Sequence, residues 1–150
     1  MEDALPDQHG LGAWQALIRA HASLMRELAT DLVTKTGLTL GDFDVLAQLG
    51  LAGGELRMTE LAARAFSSRS GMTRRIDRLV DEGLVERSGT GTDARGVVVV
   101  LTETGLARLR EAMPIHLRRV SELFIEPLDD EELAVLEHAL DKVTPHCSFG

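Results

Sequence analysis

Cysteine is nearly absent from this chain: Cys147 is the one example among 150 residues. A single thiol excludes an internal disulfide framework and any zinc site built from several cysteines. Tyrosine is missing, and aromatic residues are reduced to one Trp and four Phe, so the core has to be built from Leu, Val, Ala, Ile and Met. No apolar run approaches the ~18 residues that a membrane span needs. The opening stretch MEDALPDQHG has neither the basic nor the apolar region of a secretory signal. These absences lead us to expect a cytoplasmic protein in a reducing setting. Catalytic signatures are missing as well. There is no G-x-S-x-G, no Walker loop, no G-x-G-x-x-G and no H-E-x-x-H, so we expect no enzyme, no cofactor and no metal. What is present is 44% hydrophobic and 27% charged residues, the balance of an ordinary folded chain forming a single unit over residues 1–150.

The formal charge of −8 argues against nucleic acid as a global property, but its distribution says more. Arg64, Arg69, Arg74, Arg75, Arg78, Arg87 and Arg95 lie in one stretch with only Asp77, Asp81, Glu82, Glu86 and Asp93 to oppose them. That stretch is net basic inside an otherwise acidic chain. All its cations are arginines, which bond phosphate or guanine bidentately where lysine acts as a point charge. By charge alone, a solvated helix face explains the stretch equally well.

Hydrophobic period organises the rest. Leu11, Trp14, Leu17, Ile18, His21, Leu24, Met25, Leu28 and Leu32 fall at steps of three and four, one stripe of a long helix that Gly37 would stop. Thr39 and Asp42 read as a capping box with Leu38 and Phe43 as its staple, opening a helix to about Leu51. Thr59 reads as the cap of a short helix over 60–65. Ser67 or Ser68 reads as the cap of another that Gly83 ends. Then the period changes: residues 84–87 and the β-branched run 97–101 read as two strands joined by a Gly-rich tip, a hairpin. Helical period returns from Gly105. Pro114 should kink or divide that helix, and Asp129 with Glu132 should cap a last one. The fold class is therefore mainly α with a small β-hairpin wing: a winged helix-turn-helix over residues 38–104, flanked by helices over 11–36 and 105–144.

On the helix after Ser68, the residues Met72, Ile76, Leu79 and Val80 share an inward face. Ser70, Thr73, Arg74 and Asp77 lie opposite, with Arg69 beside them. A small, hydroxylated and basic face on the first turns of a helix is what a major groove about 12 Å wide admits and what reads base edges. Gly71 lowers helix propensity by about 1 kcal/mol relative to Ala; close approach to phosphate or a packing constraint would each account for it.

The segment MTELAARAFSSRSGMTRRIDRLVDEGLVERSGTGTDARGVVVVLTETG resembles the winged-helix core of the MarR family (multiple-antibiotic-resistance regulators). Three pieces carry the resemblance in order: SRSGMTRRIDRLVDEGLVER, the D-x-R of Asp93 to Arg95, and VLTETG. It extends over nearly the whole chain, to LDDEELAVLEHALDKV. It implies a bacterial homodimer, its terminal helices intertwined, that binds a pseudo-palindromic double-stranded operator as a transcriptional regulator, in most such proteins a repressor. It implies that Ser68, Arg69, Ser70, Thr73, Arg74 and Arg75 face DNA, that Arg95 enters the minor groove, and that Asp93 supports the wing by an ion pair. The tip SGTGT has no Lys or Arg between Arg87 and Arg95, a departure that implies few wing phosphate contacts and a shallow salt dependence.

Members of the family respond to small aromatic or phenolic ligands, to oxidants through a Cys, or to metals. Trp14, His21, Phe43 and His116 are the candidate pocket residues here, each equally readable as core or interface. A Cys147 redox switch lacks a resolving partner, and His138, His146 and Cys147 fit no metal template. A winged-fold protein–protein adaptor without DNA binding and a Cys147-based redox regulator stand as the alternative functions.

Overall fold

The computed structural model describes residues 5–65, 69–89 and 96–144, with the side chains of residues 69 and 70 outside that description. Helix α1 spans Gln8–Thr36, opened by Asp7, whose carboxylate accepts the Gly10 N–H, and closed by Gly37 in the left-handed region. Helix α2 spans Leu40–Leu51. The Asp42 backbone N–H donates to Thr39 Oγ1 at 3.1 Å, so half of the expected capping box forms. The other half does not, because the Asp42 carboxylate is engaged elsewhere.

Strand β1 (Glu55–Arg57) follows the two glycines that end α2 and leads directly into helix α3 (Met58–Arg64). The sequence pattern predicts neither this strand nor this helix start. Only three residues alternate in burial, too few to register as a period. At the start of α3, the Met58 N–H donates to the Val97 carbonyl at 2.8 Å. A carbonyl from across the sheet thus satisfies a free N–H of the helix N-terminus, and Thr59, expected as the cap, lies inside the first turn.

Helix α4 spans Arg69–Asp81, strand β2 Val85–Ser88 and strand β3 Val98–Leu101. The sheet is antiparallel in the order β1-β3-β2, with Leu56 opposite Val99 and Arg87 opposite Val99 on the other edge. The wing is therefore a hairpin completed by a third short strand. Helix α5 spans Glu103–Val120 under a Thr102 cap and continues through Pro114 without dividing. Pro114 is exposed, so its ring and the carbonyl it frees face outward, where water can serve that carbonyl. The irregularity comes later, as a π-turn over Ser121–Ile125 in which the Glu126 N–H reaches the Ser121 carbonyl. Helix α6 (Asp130–Val143) starts with a complete Asp129/Glu132 capping box.

The core lies in the middle of the chain. Leu46, Leu49, Leu61, Met72, Ile76, Leu79, Val85 and Val99 are almost completely buried, joined by Leu32 of α1 and Leu109 and Ala112 of α5. Each of these Leu, Ile, Val and Met side chains contributes about 1.5–3 kcal/mol by burial. Helix α6 has no buried residue, and α1 has only Leu28 and Leu32. No helix among the described residues is long and apolar enough to cross a membrane.

Candidate nucleic-acid interface

Helix α4 is fastened to the core by Met72, Ile76 and Leu79, all fully buried. At 100° per residue, that seam turns Thr73, Arg74 and Asp77 outward, and all three are exposed. Arg74 makes no ion pair or hydrogen bond among the described residues, which leaves its guanidinium open to an incoming partner. Asp77 is held by Arg87 of β2 in an ion pair that ties α4 to the hairpin. The outer face of α4 thus carries a free arginine beside a neutralised aspartate.

Arg75 differs from its sequence expectation. The MarR resemblance groups it with the DNA-facing residues, yet its Nη1 donates to Asp42 Oδ1 at 2.6 Å and to Thr39 Oγ1 at 3.2 Å. The reason is geometric: one residue past Arg74 the helix has turned toward α2, and a buried carboxylate waits there. Its guanidinium lies over Gly41, where a Cβ would collide with it. Arg78, one turn further, donates to the same Oδ1 at 2.6 Å. Asp42 is only 5% exposed. Sequence reasoning missed this arrangement. The available signal is a carboxylate beside Phe43 on the core side of α2, together with two arginines spaced three apart on α4.

Arg69 and Ser70 begin α4, but their side chains, together with Ser68, Asp93 and Arg95, lie outside the described residues. So do His146 and Cys147. Of the four candidate pocket residues, the structure brings two together: the rings of Phe43 and His116 meet at 4.7 Å, tilted by 44°. The contact joins α2 to α5. Burial lowers the His116 pKa below its ordinary 6.5, with Asp44 pulling the other way, and its buried Nδ1 has no hydrogen-bond partner among the described residues. Trp14 and His21 are exposed on the first half of α1, and neither makes a ring contact with that pair among the described residues. Clefts open at two places among the described residues. One of about 390 Å³ lies beside the wing, lined by Glu55, Arg57, Glu60 and Val98 among others. One of about 290 Å³ lies between the ends of α1 and α5, lined by Lys35, Ile115, Arg118, Arg119 and Glu122. None of the four expected residues lines either cleft. Among the described residues, no group of three or more His, Cys, Asp or Glu could hold a metal.

Comparison with known proteins agrees with this geometry. Residues 36–96 match the MarR family. The multiple antibiotic resistance protein MarR of Escherichia coli is 30% identical over 118 residues, covering 79% of this chain and 81% of that protein. Among solved structures, AbsC, a MarR family transcriptional regulator from Streptomyces coelicolor, superposes with a TM-score of 0.84 at 31% identity, covering 95% of this chain and 97% of that one. A second MarR family regulator from the same organism, crystallised in complex with DNA, gives a TM-score of 0.85 at 27% identity, covering 96% and 94%.

Proposed function

Because this chain belongs to the MarR family of transcriptional regulators, we propose that it acts as a homodimer that binds a pseudo-palindromic operator sequence-specifically and represses transcription from it. The observation that carries this reading is the outward face of α4. Thr73 and Arg74 stand exposed over a fully buried seam, the presentation a major groove requires. The DNA complex of the similar Streptomyces regulator supports it.

In this reading, residues 38–104 form the DNA-binding lobe. Ser68, Arg69 and Ser70 extend the reading face toward its N-terminal end, Arg95 enters the minor groove, and Asp93 orients the wing. Arg75 braces the lobe instead of touching DNA. Residues 11–36 and 105–144 form the dimer. What supports this is the apolar surface that a lone subunit leaves in water: Leu11, Trp14, Leu17 and Ile18 on α1, and Val135 and Val143 on α6. A second copy would cover it. In the same reading a small aromatic or phenolic effector releases the operator, and the Phe43–His116 contact between lobe and α5 is where the conformational signal crosses.

Fluorescence anisotropy with duplexes from the protein's own upstream region tests the reading. Arg74→Ala and Arg95→Ala should each weaken operator binding about tenfold, since an arginine contact to a base is worth about 1–3 kcal/mol. Circular dichroism and dimer mass should not change. Two variants that bind like wild type would overturn the groove assignment.

A further inference from the structure

We propose that Asp42 is a positioning residue for DNA reading: it clamps Arg75 and Arg78 of α4 to the first turn of α2, and so sets the rotation of α4 and withholds two arginines from phosphate. This rests on the proposed DNA-binding function. Asp42 is the one buried charged residue among those described. A single oxygen, Oδ1, accepts from Arg75 Nη1 and Arg78 Nη2, both at 2.6 Å. Thr39 Oγ1 joins the same cluster, accepting from Arg75 at 3.2 Å and from the Asp42 N–H at 3.1 Å. The cap of α2 and the anchor of α4 are therefore one hydrogen-bonded unit.

Two consequences follow from the geometry. Met72, Ile76 and Leu79 hold α4 against the core but are a greasy seam, tolerant of small rotations. Two charge-assisted bonds to one fixed oxygen are directional. They lie one turn apart on the helix and so oppose both rotation and sliding. Since Arg74 and Arg75 are 100° apart, the bond that holds Arg75 inward fixes the angle at which the seam presents Arg74 outward. Second, the clamp balances charge. Arg78 is about half exposed, and without Asp42 both guanidiniums become mobile cations beside the DNA-facing surface. Each added phosphate contact steepens the salt dependence by about 0.9 in log–log slope and favours any sequence equally. Asp42 therefore raises the preference for an operator over random DNA.

The test compares wild type, Asp42→Asn, Arg78→Gln and Arg74→Ala on two duplexes: one selected from a random pool by the wild-type protein, and a scrambled version of it. Asp42→Asn should lower the operator-to-scrambled preference about tenfold or more, leave scrambled binding equal or stronger, and steepen its salt slope. A variant that is merely less stable would weaken both duplexes together and leave the slope alone. That pattern overturns the proposal, as does a wild-type preference. Should Asp42→Asn fail to fold, Arg78→Gln decides. It leaves Asp42 paired with Arg75, and it should lose part of the preference; an unchanged preference overturns the clamp. Arg74→Ala separates the two readings. If it loses operator binding while Asp42→Asn and Arg78→Gln do not, the clamp alone is wrong. If it too binds normally, DNA reading by α4 falls and the clamp with it.

Discussion

The backbone carbonyl oxygen of Leu84 occupies the space where a side chain at Gly105 would begin. Around that contact, Thr102 caps α5 through the Gly105 N–H and donates its hydroxyl to the Gly83 carbonyl at 2.7 Å. The exit of α4 and the entry of α5 are thus bolted together at one point, and the bolt is backbone against backbone.

Gly105→Ala should therefore be costly despite being a helix-favouring change. The obstructing atom is a carbonyl, which cannot rotate away, so the strands or α5 must shift. Overpacking of this kind costs about 1–3 kcal/mol. Thermal or urea unfolding should show a loss in that range, where Gly53→Ala, at a turn with open space around it, suffers only its backbone strain.

His116 makes stability depend on pH. Its folded pKa is below 6.5, first because burial disfavours the imidazolium. Above 6.5 both folded and unfolded chains hold it neutral. As pH falls through 6.5 toward the folded value, only the unfolded chain takes the proton, and stability is lost. Melting temperature should fall between pH 7.5 and pH 5.5. His116→Gln should flatten that part of the fall. An identical pH profile in the variant would count against the assignment.

Asp77 and Arg87 offer a different contrast. Their ion pair is surface-exposed, so its contribution to stability should be about 0.2–1 kcal/mol. Its effect on DNA should be larger. Arg87→Gln leaves an uncompensated carboxylate on the outward face of α4 and should weaken binding severalfold, while adding Asp77→Asn should restore most of it. A double variant no better than Arg87→Gln alone would show that Arg87 itself contacts DNA.

Trp14 is 59% exposed on α1. A charge placed there meets water in a monomer but desolvation in a dimer. Trp14→Glu should leave the circular dichroism of the chain near wild type while shifting its mass from dimer toward monomer in sedimentation, and operator affinity should fall with the dimer. A variant that stays dimeric would move the proposed interface away from the first half of α1.

Signals in the chain are legible where the physics is local. Gly37 and Gly83 stop helices because each adopts positive φ at 77° and 75°, a property of the residue itself. Thr39 and Asp129 cap helices for the same reason, their oxygens accepting from an N–H three residues on. The inward seam of α4 follows from a period of 3.6. The MarR resemblance, carried by motifs along the chain, was legible too.

Tertiary structure alone decided the rest. Strand β1 exists because β3 offers it an edge; three residues hold no period of their own. Helix α3 starts at Met58 because Val97, thirty-nine residues away, lends a carbonyl. Pro114 stays in an unbroken helix because it lies on the outer face of α5. Arg74 and Arg75 are neighbours of the same type; the helical period turns Arg74 outward, but it does not tell where Arg75, at the flank of that face, finds its partner. A buried carboxylate at Asp42, brought near by folding, draws one of them in, since an interior charge demands a partner and a solvent-facing one does not.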